Sequence, residues 1–170
     1  MVSKRVMSIF VCVLVLFIGA SVVDAVPMEV GSGDNSAGLY IEWSDGFVAD
    51  FVVRFDDESV TGLGLFDILE ANTSLTTVRN DFGFGVFIDG ITFEGHSNIG
   101  YDGGANWWHY WNKNAGDLEW GAPAMGAGSR VLSDGDSDGW IYGRDGAVPE
   151  PATMILLGLG GLAICRRKLN

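Results

Sequence analysis

The run Asp134-Gly135-Asp136-Ser137-Asp138-Gly139-Trp140-Ile141-Tyr142-Gly143-Arg144-Asp145 sets carboxylates at its positions 1, 3, 5 and 12, with glycine at 6 and isoleucine at 8. Alternate carboxylates at that spacing can converge on one hard cation while the glycine permits a sharp turn, which is the chemistry of a calcium loop. Asp145 stands where a longer glutamate would offer both oxygens, so the expected site of Asp134, Asp136, Asp138 and Asp145 is a weak one. The flanks, Gly126-Ala127-Gly128 before and Gly146 to Pro149 after, cannot form the helices that hold an EF-hand loop. The competing reading makes the same residues turns that feed a last strand. Calcium is the one cofactor this pattern suggests, and the sequence otherwise calls for none.

The second candidate is Trp107-Trp108-His109-Tyr110-Trp111-Asn112. As a strand, it alternates Trp107, His109 and Trp111 on one face with Trp108, Tyr110 and Asn112 on the other. One face belongs to the core. An exposed Trp107/His109/Trp111 face would be an aromatic platform suited to stacking on sugar rings, because an aromatic patch in water needs a reason. If a second layer covers it, the same run is core on both sides.

Catalysis has little to stand on. The chain has two histidines, His96 and His109, and no Gly-x-Ser-x-Gly, His-Glu-x-x-His or phosphate-loop pattern. Neighbouring carboxylates such as Asp56-Asp57 could in principle serve glycoside hydrolysis, but so many acids make any pair nameable. The expectation is a non-catalytic protein.

The elements that must position these residues are mostly strands. Leu39 to Trp43, the turn Ser44-Asp45-Gly46 and Phe47 to Phe55 read as a hairpin. Leu63 to Ala71 carries helical periodicity at 65, 66, 68 and 69. Phe84 to Ile88, Asp89-Gly90 and Ile91 to Phe93 read as a second hairpin. Short strands are expected over 107–112, 129–132 and 139–142. Two strands, a helix and further strands make an α+β fold: a small mixed sheet with one main helix.

Three pieces of this middle resemble the transcobalamin-like C-terminal domain family, a β-grasp-like module, over residues 63–142. They are the helix Leu63-Gly64-Leu65-Phe66-Asp67-Ile68-Leu69, the strand Gly85-Val86-Phe87-Ile88-Asp89-Gly90-Ile91, and Trp107 to Asn112 followed by Asp134-Gly135-Asp136 and Trp140-Ile141-Tyr142. The chain departs from the family pattern after Asn112, where Lys113-Asn114 replaces an Asn-Gly turn. The resemblance implies a β-grasp-like fold, and for some members of the wider family a bound corrinoid. Fold alone does not assign function.

The two ends are addresses. Lys4 and Arg5, the apolar run from Val6 to Ala20, and small residues at Val23-Asp24-Ala25 read as a secretory signal peptide over 1–25, cleaved after Ala25 by the general export route. A retained membrane anchor is the alternative. At the other end, Pro149-Glu150-Pro151 precedes an apolar segment, 152–165, and the basic triplet Arg166-Arg167-Lys168. Fourteen residues of helix span roughly 21 Å, short of the ~30 Å hydrocarbon core. The basic triplet favours a cytoplasmic tail. This order of parts over 149–170 resembles the PEP-CTERM sorting signal of Gram-negative bacteria. The resemblance implies recognition by an exosortase, a membrane-anchored intermediate, and delivery to the cell surface or an extracellular matrix rich in exopolysaccharide.

Between the addresses, residues 26–148 hold five Lys and Arg against twenty Asp and Glu, a formal charge of 5 − 20 = −15. Nucleic acid and anionic lipid are poor partners for such a surface, whereas cations, neutral sugars and amphiphiles are not excluded. Cys12 and Cys165 both fall in the ends, so the exported domain has no disulfide and no thiolate chemistry. The expectation is an exported, non-catalytic surface or matrix component. The alternative is an extracellular module binding calcium, an exopolysaccharide or a corrinoid.

Overall fold

Strict alternation along Asn35–Glu42 (β2) and Val48–Phe55 (β3) turns Ala37, Leu39, Ile41 and Ala49, Phe51, Val53, Phe55 to one buried face. The two strands form the expected hairpin, with Gly46 at φ 84° in its turn, where a side chain would be strained. The computed structural model describes residues 27–144, within a compact unit spanning Val26–Val148. The signal peptide with Ala25 and the sorting residues Pro149, Glu150, Pro151, Arg166, Arg167 and Lys168 lie outside the described residues, as does the apolar segment 152–165. Among the described residues no helix is long and apolar enough to cross a membrane.

The main sheet has five strands in the order β1-β3-β2-β8-β7, adding Met28–Gly31 (β1), Trp108–Lys113 (β7) and Ser137–Tyr142 (β8) to the hairpin. β1 runs parallel to β3 and β8 parallel to β2, while β7 pairs antiparallel with β8. A helix, Gly62–Asn72 (α1), comes next in the chain after the first hairpin. Its N-cap is Thr61, whose hydroxyl accepts from Gly64 N at 3.2 Å, and Leu65, Phe66 and Leu69 bury its inner face. The expected helix of 63–71 is thus one residue longer at each end. The result is a small mixed α+β domain, mostly sheet with one short helix.

A second sheet of three antiparallel strands, Thr76–Asp81 (β4), Val86–Phe93 (β5) and His96–Ile99 (β6), packs beside the first. Here the expected hairpin at Asp89-Gly90 is corrected, because β5 runs straight through both residues. The register steps from Val78 opposite Gly90 to Arg79 opposite Ile88, which leaves Asp89 as the extra residue of a β-bulge. A Cβ on Gly90 would lie 2.9 Å from Ile99 Cγ1 and 3.2 Å from Val78 Cβ, so this glycine serves close cross-strand packing and not a turn. The actual turn is at 82–85, where Phe82 N donates to Gly85 O at 3.2 Å. The expected strand over 129–132 also shrinks, to a single bridge between Thr61 and Val131.

The two sheets and the helix share one core. Phe51 meets Phe93 at 5.3 Å between ring centroids, Phe66 meets Trp140 at 5.6 Å, and Trp43 meets Trp108 edge-on at 5.9 Å. Polar latches fix the small sheet: Trp43 Nε1 donates to Ile91 O at 2.9 Å and Trp108 Nε1 to Asn98 O at 3.2 Å. His96 Nδ1 meets Asp45 Oδ2 at 2.6 Å while its ring stacks on Phe47 at 3.8 Å.

Candidate functional site: an aromatic cleft beside a buried ion cluster

Strand β7 lies at the edge of the main sheet, and its register explains what each aromatic does. Trp108 opposes Tyr142 and Tyr110 opposes Trp140, on the face toward the core; His109 opposes Ile141 and Trp111 opposes Gly139, on the other. The alternation therefore follows the sequence pattern, although the strand begins at Trp108 and Trp107 precedes it. The Trp107/His109/Trp111 face is nevertheless not an open platform. Trp107 is 46% exposed, but His109 is buried with Nε2 3.0 Å from Ala105 O, and Trp111 is half-buried. Trp107 and His109 lie against each other, with ring centroids 4.1 Å apart and planes 41° apart.

All three residues line a cleft of about 1050 Å³. Its second wall is the β4–β5 tip with Phe82, Phe84 and Phe87, and its third is the segment 122–129. No lysine or arginine is among its lining residues. The indole N–H groups of Trp111 and Trp140, both on this lining, are buried with no hydrogen-bond partner. Buried polar groups are rarely left so. Tyr110 stacks on Trp140 at 4.9 Å, and both lie on the lining.

Of the carboxylates with calcium-loop spacing, the three described ones, Asp134, Asp136 and Asp138, do not converge on one point. Asp134 Oδ1 accepts from Ser36 N at 2.8 Å and Ser36 Oγ at 3.1 Å. Asp136 accepts from Ala115 N, Ser133 N and Arg130 Nη1 at 2.9, 3.0 and 3.3 Å. Asp138 accepts from Arg130 Nε at 3.1 Å and from the Tyr110 hydroxyl at 3.0 Å. Asp145 lies outside the described residues. Among the described residues no group of three or more His, Asp or Glu side chains is placed to hold a metal ion. The cation between Asp136 and Asp138 is the guanidinium of Arg130.

Burial is the first cause that pushes the Asp138 carboxyl up to about 6; Arg130 and the Tyr110 hydrogen bond oppose it, and Asp136 adds to it. The same cluster raises the Tyr110 phenol, by burial first and then by the Asp138 charge. Arg130 was missed in the sequence. Its signal was present: one arginine six and eight residues before two aspartates at alternate positions, in a stretch otherwise without Lys or Arg from 114 to 143.

Residues 147–168 match the PEP-CTERM protein-sorting motif. Neither curated proteins nor solved structures give a match to this chain. The motif marks the chain as an exported protein, targeted to an exosortase and passing the membrane to the bacterial cell surface.

Proposed function

We propose that the exported domain is a non-catalytic, surface- or matrix-associated module that binds a neutral saccharide chain in the aromatic cleft. The observation that carries this reading is the cleft itself: about 1050 Å³, walled by Trp107, Trp111 and the Phe82–Phe87 tip, with no cationic side chain on its lining. Flat aromatic faces stack on sugar rings. A formal charge of −15 over 26–148 turns away acidic polymers and leaves neutral ones. Export by the general secretory route, anchoring through 152–165 and release into an exopolysaccharide-rich matrix of a Gram-negative bacterium complete the proposal.

The β-grasp-like reading belongs here as well. Its support is the run β3-β2-β8-β7 within the five-stranded sheet, two antiparallel pairs joined by the parallel pair β2–β8, with α1 following the first hairpin and β1 extending the sheet beyond β3.

The test is titration of the protein with neutral polysaccharides while following tryptophan fluorescence, in wild type and Trp107→Ala. The reading expects saturable binding that Trp107→Ala weakens severalfold, with the unfolding midpoint unchanged. Equal response of both proteins, or none, removes the cleft as a saccharide site.

A further inference from the structure

The β4–β5 tip exposes an aromatic group that the core does not use. Phe82 and Phe84 are 60% and 82% exposed, and Phe87 is 49% exposed. Their three rings contact one another at 5.5 to 6.1 Å instead of turning inward. Gly83, at φ 80° between the two outermost rings, lets both project from a two-residue apex. Tyr101, 69% exposed, stands beside them on the rim of the same cleft. Apolar rings at an apex with a phenol alongside match a water–hydrocarbon boundary, where phenylalanine goes deeper and tyrosine keeps its hydroxyl wet.

The place where the chain leaves the domain identifies the occupant. After β8, Gly143 N donates to Trp107 O at 3.1 Å, and the Tyr142 hydroxyl donates to Gly100 O at 3.2 Å. Gly100 N in turn donates to Asp89 O at 2.7 Å, on the strand that leads to the tip. Arg144 is held there by Glu42 at 2.6 Å. The exit to the sorting motif and the aromatic rim are therefore at one end of the domain. Only residues 145–151 separate Arg144 from the apolar run that starts at Ala152. Fully extended, they reach about 25 Å. That reach bounds the distance between Arg144 and the apolar run.

We propose that Phe82, Phe84 and Tyr101 form a lipid-docking surface that seats the folded domain on a bilayer of low charge beside its own sorting segment. Asp81, Asp89 and Asp102 place acidic charge near the tip, so zwitterionic headgroups suit the surface and anionic ones oppose it. This goes beyond saccharide binding, although Phe82, Phe84 and Tyr101 also line the cleft, so the test below carries a glycan arm. Removal of the sorting segment frees the domain, because a few rings give only reversible adhesion.

The test uses the full chain in a Cys12→Ala/Cys165→Ala background, reconstituted in phosphatidylcholine vesicles. An environment-sensitive fluorophore is placed through Phe84→Cys or, as a control at the far end of the main sheet, Glu58→Cys. The expected result is a blue shift and quenching by nitroxide-bearing lipid at position 84 and neither at 58, with quenching reduced severalfold when Phe82→Ser is added. An unfolding midpoint close to wild type shows that Phe82→Ser leaves the domain folded. Equal solvent exposure of the two labels overturns the proposal. So does a shift at 84 produced by a soluble neutral glycan and not by vesicles, which assigns the tip to the saccharide site instead.

Discussion

Arg130 Nε and Asp138 Oδ1 meet at 3.1 Å with side chains only 8% and 0% exposed, so an ion pair stands at the junction of the main sheet, the helix start and the 126–133 loop. The same guanidinium reaches Asp136 at 3.3 Å and Lys113 O at 3.1 Å. Gly62 N donates to the Arg130 carbonyl at 3.0 Å, which ties the first turn of α1 to this cluster. One residue, by its guanidinium and its backbone carbonyl, thereby joins the ends of β7 and β8 to the helix.

Replacing Arg130 by methionine keeps much of the volume and leaves Asp136 and Asp138 buried without a counter-charge. Removing one partner of a buried pair costs about 3–5 kcal/mol. Urea unfolding of Arg130→Met is expected to show a loss of that size. A loss below about 1 kcal/mol would show that the cluster is hydrated and not a dry ion pair.

Asp138 contributes to the pH dependence of stability. Its folded-state value of about 6 lies above the 3.8 of an unperturbed carboxyl, so the folded protein holds the proton that the unfolded chain has already released. From this group, stability is fully present below about pH 4 and falls as pH rises to about 6, by about 3 kcal/mol at most. Asp138→Asn abolishes that contribution. The difference in unfolding free energy between pH 4 and pH 7 is expected to change between wild type and variant in that direction, while the depressed carboxyls Asp45 and Asp57 contribute equally to both. Identical pH profiles would place Asp138 in the ordinary carboxylate range.

Gly62 is the third test. A Cβ there would sit 2.3 Å from Asp138 Oδ2 and 3.1 Å from both the Ala127 Cβ and its carbonyl oxygen. Asp138 cannot swing away, because Arg130 and Tyr110 hold both its oxygens. Although alanine is the better helix former by about 1 kcal/mol, Gly62→Ala is expected to destabilise by about 1–3 kcal/mol through overpacking. A stabilised variant would mean that the helix start can lift off the carboxylate.

Local pattern carried far in the hairpin and helix. The alternation of Leu39, Ile41 and Phe51, Val53, the Asp45-Gly46 turn and the apolar stripe of Leu65, Phe66 and Leu69 each depend on neighbours in sequence, and each appears where expected. Strands β1, β4 and β6 escaped notice. Their residues, such as Thr76-Thr77-Val78-Arg79-Asn80-Asp81, are mostly polar or exposed and gain their place by pairing with a distant partner. Asp89-Gly90 looked like a turn for a similar reason: the pair suits a turn, but the crowding of Val78 and Ile99 around Gly90 is a tertiary fact.

The sequence by itself determined the export and sorting of this protein, because a sorting motif is a contiguous string whose parts act in order along the chain. It also determined an acidic, cysteine-free, mostly β domain, because composition and alternation are local quantities. Only the tertiary structure decided what the aspartates of the 134–138 run hold, since the guanidinium between Asp136 and Asp138 is brought there by the fold of the 126–133 loop. It alone decided that Trp107 stays exposed while His109 is buried, and that the Phe82–Phe87 tip and the chain exit share one end. Charge compensation, burial and proximity are sums over neighbours that the chain collects from distant segments, and a single stretch of sequence does not contain them.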